Sequence, residues 1–549
     1  MGKTLPTVML KRTALVLLLL VFAAGMGFAG GAKEAARTGV RLNVGWTTEQ
    51  AIETLRVDEA WELGDMGTVW WQLVYDQLWM IGPGPDYKVV PRLAKSWETK
   101  DRKTWIWHLV DNAKWHDGEP FTAEDVKFTL EYLIQAMEVW YRPDTDFEEL
   151  NIIDDHTLEM VLEEAVGGDY PPVFWIPILP KHIFESWKDD MFGFANDKAI
   201  GIGPFKMKEF KSSESMWLLK NEDYYGEKPH VDEIVFKTYG SKDAVYMAMK
   251  AGEIDMIGYY GASILVKDDL EKSPNVEIIE NPGLAMWPMN FNLHQKTAVR
   301  DRNFRYAVMH AIDRQRIIDL VYLGVGVPID SMIYPELEYH NDSLYQFDYN
   351  PAKAKEYLQK SGFVDTDGNG IVNDPANGKD VQLVMMVASG WIDTIKASTV
   401  AKENLADVGV EVEIKTVDIN TFYDYNYKPE DDFFDLSWSE FDAGINFDWI
   451  WDYFQSYEGG GQGWNTSWYQ NPEVDALIDE MRTELDNEKR KAMIWELQEI
   501  LIRDLPKGWM FRTNMIDPVS TRFEGYPEFM GGVSSWINPW SYMKVRPRQ

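Results

Sequence analysis

Eight histidines and no cysteine are the inventory from which this 549-residue chain could build a metal or nucleophilic site. A zinc cluster has few ligands to draw on there. No His-Glu-x-x-His, Gly-x-Ser-x-Gly or Walker loop occurs. Gly201-Ile202-Gly203-Pro204 is short of the third glycine and the strand-to-helix setting of a dinucleotide loop. His116-Asp117 offers acid–base groups, but the pair sits in the turn-rich stretch Asn112 to Glu119, just before a helix start. It reads as a folding device, with Gly118 suited to the turn. The 89 acidic residues are spread along the chain, and nothing singles out the spaced pair that glycoside hydrolysis needs.

One stretch has the spacing of a metal loop. In Asp365-Thr366-Asp367-Gly368-Asn369-Gly370-Ile371, the side chains of Asp365, Asp367 and Asn369 would supply oxygens and Ile371 a carbonyl, with Gly370 at the sharp turn. The twelfth position is Ala376, where a bidentate Glu belongs. Two readings follow, a structural Ca2+ site or an Asx-rich turn between a helix and a strand, and the missing acid favours the turn. No other cofactor is expected.

The elements that would position such groups alternate in period. Trp105, Trp107 and Leu109 alternate with Ile106, His108 and Val110, a strand pattern. Thr122-Ala123-Glu124-Asp125 opens a helix that Thr122 can cap, with Asp125 favouring the dipole. Ala397, Ala401 and Leu405 mark a helix over Ile395 to Leu405, and Gly409 stops it. Val410, Val412 and Ile414 then alternate with Glu411 and Glu413. A last long helix carries Met493, Ile494, Leu497, Ile500 and Leu501, and Pro506 closes it. Interleaved helices and strands predict an α/β fold.

The first residues set the compartment. Lys3, Lys11 and Arg12 precede an apolar run from Ala14 to Ala24, and small residues follow to Ala29. This is the layout of a secretory signal peptide over 1–29, too short to span a bilayer, which takes about 20 apolar residues. Without cysteine the exported chain folds without disulfides and has no thiol for a lipid anchor. A freely diffusing periplasmic protein is expected. Removing the three basic residues of the leader takes the net charge from −35 to −38, which repels nucleic acid and anionic lipid. Tryptophan is unusually abundant, 24 residues against 25 Phe and 26 Tyr. Indole offers a flat apolar face with one polar handle, suited to sugars and to peptide side chains.

Several motifs occur together in a familiar order. They are Leu93-Ala94-Lys95-Ser96-Trp97-Glu98, Trp115-His116-Asp117-Gly118-Glu119-Pro120-Phe121-Thr122, Gly201-Ile202-Gly203-Pro204-Phe205, Gly252-Glu253-Ile254-Asp255, Ala311-Ile312-Asp313-Arg314 and Asn471-Pro472-Glu473-Val474-Asp475. The chain from about Leu42 onward resembles the family 5 extracytoplasmic solute-binding proteins, the peptide, nickel and oligosaccharide receptors of ABC importers. The resemblance implies a two-lobed α/β periplasmic binding protein fold with an extra third domain, hinged by two crossovers. Lobe I would comprise 42–82, 200–285 and 517–549, the extra domain 83–199, and lobe II 286–516. The crossovers would lie near Leu284 to Trp287 and Asn514 to Pro518. It also implies a monomer that closes on its ligand and delivers it to an ABC permease in the cytoplasmic membrane, with no nucleic acid partner and no catalysis.

The resemblance also implies where ligand would bind. Asp442 matches the acid that holds a peptide's amino terminus in family receptors. The arginine that dipeptide receptors place before the helix near Asp393 is absent from Val387-Ala388-Ser389-Gly390-Trp391-Ile392. Trp70, Trp71, Trp287, Trp391, Trp438, Trp449, Trp451 and Trp464 fall in or near cleft segments, and Asn290 and Asn292 on a cleft-lining strand. An extended oligopeptide is the first reading. An oligosaccharide stacked on tryptophan is the second, and a secreted polymer hydrolase the third.

Overall fold

Two long antiparallel strands organise this chain. The computed structural model describes residues 39–48, 51–55, 66–136, 147–166, 170–187, 196, 198–258, 261–295, 297–428, 433–439, 441–442, 453–456, 464–535 and 537–549, with the backbone alone at 66–68, 133–136 and 441–442. The leader, Trp449 and Trp451 lie outside the described residues.

In chain order the strands begin β1 (Arg41–Thr47), β2 (Trp79–Ile81), β3 (Val89–Pro91), β4 (Ala94–Thr99), β5 (Thr104–Leu109), β6 (Phe147–Asp154) and β7 (Thr157–Leu162). There follow β8 (Phe205–Lys211), β9 (Ser215–Lys220), β10 (Glu233–Tyr239), β11 (Met256–Ile257), β12 (Val276–Phe291) and β13 (Val327–Pro328). The last are β14 (Gln382–Ala388), β15 (Glu411–Val417), β16 (Leu436–Trp438), β17 (Phe441–Asp442), β18 (Lys507–Ser520), β19 (Phe523–Glu524) and β20 (Arg546–Pro547).

A twelve-stranded sheet runs β15-β14-β16-β12-β18-β11-β1-β10-β9-β8, with β13 beside β18 and β17 beside β12 off that path. One flank is made of parallel β14, β15 and β16, the other of β1 parallel to β10 and β11. The antiparallel β12–β18 ribbon passes between them. Its ladder pairs Val276–Pro282 with Ser520–Asn514, breaks, and resumes at Met286 opposite Arg512. A Cβ on Gly283 would overlap the Thr513 carbonyl, so only glycine lets the two backbones approach this closely at the break. This is the two-lobed periplasmic binding protein fold, with β12 and β18 as its two crossovers.

A separate sheet, β4-β5-β7-β6, carries the helix Ala123–Ala136. Trp105, Trp107 and Leu109 are its buried face, as the alternation predicts. The helix start differs from expectation in one respect. Asp125 reaches back to accept from the Thr122 backbone N–H at 3.0 Å, and also from Lys181 N–H at 3.0 Å and Trp115 Nε1–H at 3.4 Å. One carboxylate thus ties helix, turn and following segment together.

The Trp-His-Asp-Gly turn is pinned to the Gly-Ile-Gly-Pro segment. His116 Nε2–H donates to the Gly203 carbonyl at 3.1 Å, and Nδ1 accepts from Gly201 N–H at 3.2 Å. That pattern requires the neutral ring. Burial pushes the His116 pKa down to about 4. A Cβ on Gly201 or Gly203 would overlap backbone of the 73–75 stretch, so the glycines permit this close packing.

Candidate functional site

The site is built on one flank of the ribbon. Asp418 opens the helix Ile419–Tyr427 by accepting from Thr421 N–H at 3.1 Å. Residues four apart share a helix face. Phe422 and Asn426 are therefore buried together, while Tyr423 and Tyr427 stack at 6.2 Å. Trp391 precedes the helix Ile392–Ala406. Trp391, Phe422, Tyr423, Asn426 and Tyr427, with Ser439, Tyr453, Trp464, Thr466 and Lys507, line an open pocket.

The wall is aromatic. Trp391 meets Phe422 edge-on at 5.0 Å and Trp287 at 6.1 Å. Trp464 meets Tyr427 at 6.0 Å and Tyr453 at 6.1 Å. Trp464 and Tyr423 are 37% and 40% exposed, so both offer ring area to a ligand.

The floor is a chain of hydrogen bonds from three strands and the helix. Lys507 Nζ donates to Asn290 Oδ1 and to Thr466 Oγ1, each at 2.7 Å. Asn290 Nδ2 donates to Ser437 Oγ at 3.2 Å, and Ser437 donates to Asn426 Oδ1 at 2.8 Å. Asn290 and Lys507 are cross-strand partners, and Asn290 also pairs with Ser437. Lys507 is 2% exposed, and among the described residues it forms no ion pair. Burial in this setting lowers its pKa to about 7. Rings, amides, hydroxyls and one ammonium bind by stacking and hydrogen bonding.

Of the residues singled out from sequence, Trp391 and Trp464 line the pocket, Trp287 backs Trp391, and Asn290 lies in the floor. Asn292 is buried and occupied, donating to the Phe434 carbonyl at 3.0 Å and accepting from His294 N–H at 3.2 Å. Trp70, Trp71 and Trp438 are fully buried and do not line this pocket. Trp71 packs on Trp175, and Trp438 donates its Nε1–H to Met385 Sδ at 3.3 Å. These three rings fill core because their strand and helix positions face inward. Asp442 pairs with Ala285 through β17 and β12, and its side chain lies outside the described residues.

The Asp365 loop is exposed and closes on itself. Asp365 accepts from Gly368 N–H at 2.7 Å and Gly370 N–H at 2.9 Å. Asp367 accepts from Asn369 N–H at 3.1 Å, and Asn369 Oδ1 from Ile371 N–H at 2.7 Å. Among the described residues no group of three or more His, Asp or Glu is disposed to hold a metal.

Sequence reasoning missed Phe422, Tyr423, Asn426, Tyr427, Tyr453, Thr466 and Lys507. The tyrosines at 423 and 427, one helical turn apart, were a readable signal. Lys507 had none, since a lysine after Pro506 is ordinarily solvated.

The model of the bacterial extracellular solute-binding proteins, family 5 Middle, matches residues 88–462, more than half of the chain. Oligopeptide-binding protein AppA of Bacillus subtilis is 26% identical over 427 residues, 75% of this chain and 76% of its own. The dipeptide-binding protein of Escherichia coli is 25% identical over 469 residues, 80% of this chain and 84% of its own. Among solved structures, the ABC transporter substrate binding protein CtaP of Listeria monocytogenes superposes with a TM-score of 0.80 at 22% identity, covering 93% of this chain and 100% of that one. The mannohexaose-bound oligopeptide-binding protein of Thermotoga maritima gives 0.70 at 22%, covering 93% and 99%. The motif order, the two-lobed sheet and the matched span agree: the chain belongs to the bacterial extracellular solute-binding proteins, family 5.

Proposed function

We propose that this protein is the extracytoplasmic substrate-binding component of an ABC importer, that it captures an oligopeptide without chemical turnover, and that it delivers it to a membrane permease. The observation that carries the reading is the aromatic pocket beside the crossover strands, in a chain whose curated relatives are named for binding peptides. The lobes are lobe I (42–82, 200–285, 517–549), the extra domain (83–199) and lobe II (286–516), and they close about the β12–β18 break. Residues 1–29 are a cleaved leader, so the mature monomer is untethered. Asp442 holds the peptide's amino group, and Trp391 and Trp464 stack on its side chains.

An oligosaccharide is the second reading. The stacked ring wall favours it, and the Thermotoga maritima neighbour carries mannohexaose. Titration with five-residue peptide pools and with β-glucan oligomers, read by tryptophan fluorescence and thermal melting, separates the two. A shift with peptides alone supports the first reading. A shift with glucan alone replaces it. Mass spectrometry of recovered ligand should show it unchanged, and N-terminal sequencing of exported protein should begin at Gly30.

A further inference from the structure

A lysine amino group buried in a ligand pocket is a place for an anion. Lys507 lies at the floor of the aromatic pocket, 2% exposed, and two neutral acceptors, Asn290 from β12 and Thr466 from the 464–469 segment, hold its amino group. An ammonium has three N–H groups. The two bonds use two of them, so the protonated form has one left for a ligand in the pocket that Lys507 lines. The groups facing it across the pocket are Tyr423, Asn426 and Tyr427 from the helix, Ser439, Tyr453 and Trp391. Among the described residues that line the pocket, none is a carboxylate. Burial here favours the neutral amine, and an incoming carboxylate favours the ammonium and gains a charge-assisted hydrogen bond.

Two features make the amino group a recognition element rather than packing. Lys507 is fixed in direction by a relay that runs through Asn290 and Ser437 to Asn426, all buried. It also shares the pocket with Trp391, in the segment that carries no arginine. The pocket therefore keeps a cation for a ligand carboxylate, supplied from a strand start instead of from the loop before the helix.

We infer that Lys507 is the specificity-determining anchor for a carboxylate of the captured ligand, which seats between the Trp391 and Trp464 faces of the pocket. This rests on the ligand-capture reading above. The carboxylate can be a peptide's C-terminal group or an acidic side chain.

The test uses calorimetric titration at pH 8 of the mature protein and of Lys507→Met. Three pools of synthetic five-residue peptides serve as probes: free C-terminal acids without Asp or Glu, the same peptides amidated, and amidated peptides with one Glu. Wild type should bind at least one carboxylate-bearing pool ten times more tightly than the neutral pool, and the pool preferred tells the terminal group from the side chain. Lys507→Met should bind all three pools as wild type binds the neutral one. Equal affinities in wild type, or a preference that survives in Lys507→Met, would each overturn the assignment. Lys507→Gln serves if the Met variant melts early. If no peptide pool binds wild type, the peptide reading falls. The anchor is then judged on oligogalacturonate against its methyl ester with the same proteins, and no wild-type preference for the acid overturns it.

Discussion

Arg512 and Glu336 meet fork to fork, Nη1 at 2.6 Å from Oε2 and Nη2 at 2.7 Å from Oε1. Arg512 stands where the β12–β18 ladder resumes after its break, opposite Met286, and β13 pairs with it through Val327. The guanidinium is buried and the carboxylate is exposed on its outer side. A bidentate pair at this point fixes the direction in which β18 leaves the crossover. Tyr334 adds a second fastening by donating its hydroxyl to the Leu284 carbonyl, within the break itself.

Glu336→Gln should therefore cost about 2 kcal/mol, because it leaves a buried guanidinium without its counter-charge. Burial raises the Glu336 carboxyl, but the Arg512 hydrogen bonds and charge outweigh it and the net shift is downward. The pair's contribution is thus present above the unfolded carboxylate range and fades as pH falls through the depressed value. Urea melts of wild type and variant should differ at pH 7 and converge in strong acid.

Two other buried groups titrate with opposite sign. Asp517 accepts from Val533 N–H at 2.8 Å and from the Ser534 hydroxyl at 2.6 Å, yet burial still raises its pKa to about 6. Its contribution is full below the unfolded value near 4 and is lost as pH rises through about 6. His116 is depressed to about 4, so its contribution is full above the unfolded value near 6.5 and is lost as pH falls through about 4. Each window holds up to about 3 kcal/mol. The variants are compared with wild type in melts from pH 4 to 6.5. Asp517→Asn should slope toward lower stability in acid, and His116→Ala the other way.

The tryptophans divide by where they sit. Trp391→Ala and Trp464→Ala should weaken ligand binding about tenfold each with small changes in melting temperature. Trp438→Ala should cost about 3–5 kcal/mol of stability, the range for emptying a core aromatic site. Equal loss of stability in all three would remove the distinction between pocket and core.

The Asp365 loop should behave as a turn. Its carboxylate and amide oxygens already accept backbone N–H groups, and position twelve is Ala376. Melting should be unchanged by chelator and by millimolar calcium. Asp365→Ala should lower the melting temperature only slightly, and by the same amount with chelator or with calcium. A calcium-dependent rise in wild type alone would instead establish the metal site.

Much of the fold was legible because local patterns carry it. The alternation at Trp105, Trp107 and Leu109 is a strand at the predicted place, and the helix Ile392–Ala406 and strand β15 follow the predicted sequence around Gly409. The helix start at 122–125 was legible in position but not in mechanism, since Asp125 also accepts from Lys181, 56 residues on.

The sequence by itself determined the α/β alternation, the motif order that marks the family, the acidic surface and the absence of thiols. Periodicity, composition and contiguous motifs are properties of neighbours along the chain. Only tertiary structure decided which tryptophans face a pocket and which fill core, because the same side chain serves either use according to what packs against it. It also decided that Lys507 is buried: its two acceptors, Asn290 and Thr466, stand 217 and 41 residues away, and no local pattern records a desolvation set by strands brought together from such distances.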